Sequence, residues 1–371
     1  MKRSVILPAL IASLAIGLAS CGKGKDGVSE DIGSTTSISH ESTSKISEKP
    51  EASQNAKQQP EIENGVPDPL TGLLVEEERA ASRPMAIVIN NHNKALPQSG
   101  IGQAAICYEV LAEGNITRIV AIFHGADAQK IGPVRSARHY FIDFAFDYDC
   151  IFIHHGGSYQ AYDALADWGI ASLDAMTLPG ATFWRDPERV NVPGMFEHSS
   201  YTGSDLLKEA AISKGIRTQI SQEKNIGFEF FEKSALLPGS KPAAKIEVPF
   251  DSGYEAGFLY DAAKGVYLKT HSGAPHMDDA SKEQLSVENV VIQRTSIYLI
   301  PGDEAGRREV KTIGEGTGLL ATRGGYAPIS WRKDSHSSPT RFFFEDGSEM
   351  RMNKGKTWIC VISNELEIEI S

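Results

Sequence analysis

The run AICYEVLAEGNITRIVAIF, Ala105 to Phe123, decides the fold. Two apolar, β-branched segments flank Gly114-Asn115, a pair that suits the left-handed turn of a short hairpin. The run therefore predicts two antiparallel strands. A two-residue turn pairs Leu111 with Arg118 and places Arg118 diagonally from Glu109 and Glu113, within reach of a long side chain. The opposite face then collects Ile106, Tyr108, Val110, Ile119, Ala121 and Phe123 as core.

Working outward, Met85 to Ile89 is a short apolar run, read as a buried strand, that ends in Asn90-Asn91-His92. Pro133 suits a first helical position, and Val134, Ala137, Phe141 and Phe144 follow at helical spacing. Arg135 and Arg138 then fall in the first turn of that helix. Ile151 to Ile153 is a further strand, followed by His154-His155-Gly156-Gly157-Ser158 and a helix through Asp167. A short strand at Leu173 and a helix from Gly203 to about Lys214 complete an α/β pattern, and the hairpin makes its sheet mixed. Beyond Pro238 short β-like runs alternate with turns rich in glycine and polar residues, which predicts a mostly β region. The folded part exceeds what one core usually serves, so two domains are expected, 65–237 and 238–371.

The amino-terminal end speaks to location. Lys2 and Arg3, an apolar run from Val5 to Leu18, and Leu18-Ala-Ser-Cys21 read as a secretory signal over 1–20 with a lipid-accepting cysteine. The apolar run is short for a membrane span. The mature chain is expected to hang from the outer face of the cell membrane by acyl chains at Cys21, palmitate among them. Residues 21–64 are polar and lack aromatics, the composition of a flexible tether with a reach of about 35 Å. The formal charge of −11 argues against nucleic acid as a partner. Cys107, Cys150 and Cys360 are too widely spaced for a disulfide framework or a zinc motif, so buried thiols are expected, with a Cys107–Cys150 bridge left open.

Against this acidic background, local arginines stand out. A helix start repels guanidiniums, so Arg135 and Arg138 suggest a shared anion at that position. Asp143, or the Glu109 and Glu113 pair, would neutralise them otherwise. Asn90, Asn91, Gly156 and Gly157 follow strands, where ligands gather in open α/β sheets, and glycine lets backbone N–H groups approach an anion. Neighbouring His154 and His155 point to opposite faces, so at most one lines such a crevice, and His155 is the candidate. Arg185, Arg189 and His198 share a loop with Phe183, Trp184 and Phe196. Glu109 and His198 are the candidates for acid–base work, should they meet.

Three other motifs carry less. Gly314-Glu-Gly-Thr-Gly318 lacks the strand–helix context of a nucleotide loop and reads as a bulged turn. His271, His276 and Asp278 match no standard metal spacing, and Ser99 lacks a nucleophile elbow. Neither a metal nor a cofactor is expected.

Together, Arg83-Pro-Met-Ala-Ile-Val-Ile-Asn-Asn91, Pro97-Gln-Ser-Gly100, Tyr108-Glu109, Ile116-Thr-Arg118 and Ile131-Gly-Pro-Val-Arg-Ser-Ala-Arg138 resemble the YerB-like bacterial lipoproteins. The likeness extends through Gly156-Gly157, Arg185, Arg189 and His198 to Asn289-Val-Val291, Ile329-Ser-Trp331, Ser338-Pro-Thr340 and Gly355-Lys-Thr-Trp358. Glu197 departs from the family pattern, which has proline before the histidine. The resemblance implies a signal peptide, a lipid anchor and a two-part domain of unknown function, and it implies no reaction. Three functions remain in view: a tethered binder of an anionic envelope component through Arg135, Arg138, Arg185 and Arg189; an envelope hydrolase using Glu109 or His198; and a scaffold for partner proteins. Whether the protein is an enzyme is left open.

Overall fold

A computed structural model describes residues 65–371, apart from Pro179 and Ser252. The leader, Cys21 and the 21–64 tether lie outside the described residues. The amino-terminal half contributes strands β1 (Met85–Asn90), β2 (Ile106–Glu113), β3 (Ile116–Phe123), β4 (Ile151–His154) and β5 (Ser172–Asp174). Its main helices are α1 (His139–Phe146), α2 (Tyr159–Trp168) and α3 (Ser204–Ser213). The carboxyl-terminal half adds β6 (Lys245–Asp251), β7 (Tyr254–Asp261), β8 (Val266–His271), β9 (Asn289–Thr295), β10 (Gly314–Thr322), β11 (Gly325–Lys333) and β12 (Thr357–Ser363). The first half is thus α/β with a mixed sheet, and the second is mostly β.

One eleven-stranded sheet runs through both halves, in the order β11-β10-β9-β12-β2-β3-β1-β4-β5 with two short strands added on β11. The join is made by β12, which lies parallel to both β9 and β2. The two hydrophobic cores are the two faces of this sheet rather than one per half. On one face Ile87, Ile89, Ile119 and Ala121 cluster with Val248, Ala256 and Phe258 of the smaller β6–β8 sheet and with Leu207 of α3. On the other, Tyr108, Val110, Val120 and Ile122 cluster with Tyr140, Phe141 and Phe144 of α1 and Ala161 of α2. Burial on both sides explains why the strands read as continuous apolar runs.

The hairpin turns at Gly114-Asn115 as expected, but its register differs. A bulge between Leu111 and Glu113 pairs Val110 with Arg118 and Leu111 with Thr117. One inserted residue exchanges the faces of a strand. Val120 and Ile122, not Ile119 and Ala121, therefore share a face with Tyr108 and Val110. Arg118 reaches Glu113 and not Glu109, which points to the opposite face.

The helix expected from Pro133 begins only at His139. Residues 133–138 are held extended by foreign acceptors. Val134 N–H donates to Ser200 O at 2.7 Å, Arg135 N–H to Val88 O at 2.8 Å, and Ala137 N–H to Gly156 O at 2.9 Å. With those donors engaged, no intrahelical ladder starts there. The helix-dipole argument therefore falls for Arg135, whereas Arg138 does stand at the N-cap of α1, where Glu113 and not a ligand meets its charge.

The Gly314–Gly318 segment is not a turn but part of β10. A Cβ on Gly316 would sit 2.5 Å from Trp331 Nε1, and one on Gly318 would sit 2.1 Å from Ile292 O, so close packing demands both glycines. Cys107, Cys150 and Cys360 are free and buried, with no Cys107–Cys150 bridge, and burial pushes all three thiols up. Cys107 and Cys150 belong to the cores on opposite faces.

Candidate functional site

The bulge leads to two differently placed groups of charge. Glu109 is fully buried beneath the β6–β8 sheet. Its Oε1 accepts from Asn91 Nδ2 at 2.9 Å, from Thr117 Oγ1 at 3.1 Å and from the Tyr254 hydroxyl. Its Oε2 accepts from Trp358 Nε1 at 3.0 Å and lies 3.8 Å from the equally buried Lys269 Nζ. Burial lowers the Lys269 pKa, with Glu109 opposing. Gln98 extends the network by donating to Asn91 Oδ1 at 2.9 Å and meeting His276 Nε2 at 2.7 Å. Asp278 accepts from the backbone of Gly100 and Gly102, so this lattice fastens the Gln98–Gly102 loop to the carboxyl-terminal half. Glu109 is thus sealed and makes no direct contact with His198; Asn91, Gln98 and Asn90 stand between them, Gln98 donating to Asn90 O at 3.1 Å.

The second group lies at the carboxyl ends of β1, β4 and β5, three strands that run parallel. Such an edge is where open α/β sheets place ligands. Arg135 pairs there with Glu197, whose side chain is 66% exposed. Arg185 lies over the Phe196 ring and donates to Phe196 O at 2.8 Å. Its Nη2 is 3.2 Å from His155 Nε2, while His155 Nδ1 is 2.7 Å from Ser200 Oγ. A guanidinium only donates, so His155 is a neutral imidazole with its proton on Nδ1. Burial, Arg185 and Arg135 depress its pKa, opposed by Asp174.

His198 joins this edge through Asn90. Asn90 Oδ1 accepts from His92 N, and its Nδ2 donates to His198 Nδ1 at 2.8 Å. The His198 ring stacks on His92, and burial, His92 and Arg135 push its pKa down to about 4, against Glu197. At neutral pH His198 is an uncharged, weak base, poorly matched to proton transfer.

The remaining candidates are internal. Arg138 binds Glu113, which also holds the buried Arg118. Burial alone would raise the Glu113 pKa, but the two guanidiniums hold it below the usual carboxylate range. Arg189 donates to the carbonyls of Lys94, Ala95, Leu96 and Pro97, a clamp on that loop. The Gly156 N–H is taken by Asp174 Oδ1 at 2.9 Å, so the glycine pair offers no shared nest of donors. Of four expected clamp arginines, the geometry brings Arg135 and Arg185 to one edge and makes Arg138 and Arg189 structural.

Lys269, Trp358, Ser200 and Asp174 escaped the sequence reading. Lys269 had a signal, since strand alternation puts it in phase with Tyr267, and both are fully buried. A lysine at an inward position needs an acidic partner. Ser200 and Asp174 had none.

A family described as "Protein of unknown function (DUF3048)" matches this chain in both of its parts, the N-terminal domain over residues 70–217 and the C-terminal domain over 246–359. The chain belongs to this YerB-like family. It is 33% identical over 298 residues to "Putative lipoprotein YerB" of Bacillus subtilis (strain 168), spanning 79% of this chain and 85% of that protein. It also resembles the crystal structure of YerB from Bacillus subtilis, with a TM-score of 0.72 and 30% identity, covering 82% of this chain and 99% of that one.

Proposed function

We propose that this is a lipid-anchored protein of the outer membrane face, held at Cys21, whose amino-terminal half binds an anionic group of the cell envelope through Arg135 and Arg185. The lipoprotein name of its relative and the signal-like leader support the anchor. No helix among the described residues is long and apolar enough to cross a membrane. One observation carries the binding reading: Arg135 and Arg185 flank the neutral His155 at the strand ends, and Glu197, the carboxylate paired with Arg135, is mostly in solvent. An exposed ion pair is weak, so an incoming phosphate or carboxylate displaces Glu197 at little cost and gains both guanidiniums. Arg138 and Arg189 support the loops instead of touching the ligand. The hydrolase alternative has no observation in its favour, with Glu109 sealed and His198 a weak base.

The test is calorimetric titration with inorganic phosphate and with a glycerol-phosphate polymer. Saturable binding, weakened about tenfold or more by Arg185→Ala and by Arg135→Ala, supports the reading. Glu197→Gln is expected to tighten binding. Absence of binding, or binding indifferent to both arginines, removes the reading and leaves a scaffold role.

A further inference from the structure

His92 and His198 are uncharged at neutral pH, yet hydrogen bonds fix where each carries its proton. His92 Nδ1 accepts from Lys94 N at 3.0 Å, so the neutral ring holds its proton on Nε2. For His198 the order runs through Asn90. The His92 backbone N–H donates to Asn90 Oδ1 at 3.1 Å, which leaves the Asn90 amide nitrogen to donate to His198 Nδ1 at 2.8 Å. His198 therefore carries its proton on Nε2 as well. The two rings stack with centroids 5.0 Å apart. Neither Nε2–H meets an acceptor among the described residues, and neither is sealed from solvent, although His198 is only 7% exposed. A nearly buried ring locked in one tautomer presents its open donor to a ligand already oriented.

We propose that the arginine edge takes a tetrahedral phosphoryl group in preference to a carboxylate, with His92 and His198 supplying neutral N–H donors. This rests on the anion reading of Arg135 and Arg185. Arg135 and Lys94 act as cations on both rings, and Glu197 is the opposing carboxylate. Arg135 also acts on Arg185, a like-charge contact that a bound anion relieves. Arg185 is held flat on Phe196 and tied to His155, so its guanidinium is oriented in advance. A carboxylate has two oxygens in one plane and is filled by a single guanidinium fork. Here two arginines and two imidazoles offer donors. A phosphoryl group has three strong acceptor oxygens set in different directions, enough to engage several side chains at once. The imidazoles add hydrogen bonds without adding charge, so the empty site suffers no further repulsion.

The test is calorimetry on the full chain with sulfate and malonate, both dianions, beside inorganic phosphate and a glycerol-phosphate polymer. Phosphate and sulfate are expected to bind at least about tenfold more tightly than malonate. Tighter binding of the polymer than of phosphate assigns the group to an envelope polymer, the reverse assigns it to a free ion, and either supports the proposal. Nitrogen NMR on the natural chain gives a second readout. The Nε2–H signals of His92 and His198 are expected to move at phosphate saturation, and the His198 pKa to rise from about 4 beside the anion. His198→Leu, its fold checked by circular dichroism, is expected to bind phosphate about tenfold more weakly. His198→Gln, which keeps a side-chain N–H, is expected to stay within about threefold. The proposal is overturned if malonate binds as tightly as sulfate, if neither imidazole signal moves, or if His198→Leu binds phosphate as the natural chain does. Any of these, with binding still dependent on Arg135 and Arg185, leaves the anion reading standing, whereas absence of all anion binding removes both.

Discussion

Glu109 and Glu197 are both carboxylates beside a cation, yet they do opposite work. Glu109 faces Lys269 in a compartment closed by Tyr254 and Trp358, with donors on both oxygens. Glu197 faces Arg135 in open solvent. Desolvation makes the first pair strong only as a complete set, whereas water keeps the second weak and replaceable. The contrast teaches that a charged residue in this fold is available to a ligand according to its burial, not its motif.

The comparison breaks most sharply at Lys269. Replacing it by methionine leaves Glu109 buried without its cation, and denaturant unfolding is expected to show a loss of about 3–5 kcal/mol. Pairing Lys269→Met with Glu109→Gln should recover part of that loss but not all, because Trp358 and Tyr254 keep only a weaker acceptor. Full additivity of the two changes would contradict the described network. Arg138→Ala comes next, at about 2 kcal/mol by the same measurement, since Arg118 still holds Glu113. Arg185→Ala and Arg135→Ala sharpen the other side: stability is expected to move by less than about 1 kcal/mol while phosphate binding falls.

The smallest effect concerns pH. His198 has a folded pKa of about 4, below its ordinary value of 6.5. The unfolded chain therefore takes up a proton first as pH falls, and stability drops between about pH 6.5 and 4. His198→Gln should flatten the fall in melting temperature across that window. An unchanged slope would show that the imidazole is not held neutral.

Much of the architecture was legible in the sequence because apolar runs report burial directly. Met85–Ile89, the Ala105–Phe123 hairpin and the β region after Pro238 all became strands for that reason. What was not legible depended on partners distant in the chain. Nothing local announces that Ser200 and Val88 will take the N–H groups of residues 134 and 135, so Pro133 read as a helix start. The bulge before Glu113 was equally silent, and it alone decides that Glu109 and Arg118 part company. Residue type alone singled out Arg135, Arg138, Arg185 and Arg189 alike, and what separates them is set by contacts distant in the chain, such as Glu113 for Arg138 and the carbonyls of residues 94–97 for Arg189.

The placement of β12 has a consequence for how the molecule comes into being. Synthesis runs from the amino terminus, so β2 exists some 250 positions before Thr357 reaches Ile106, its partner in the register. Until then one edge of β2 offers unpaired backbone groups and exposed apolar side chains, the kind of surface that invites aggregation. So distant a closure also slows folding. A chain truncated just before Thr357 would lack the strand that joins its halves, and the amino-terminal part would be left with an open seam where the finished protein has an interior.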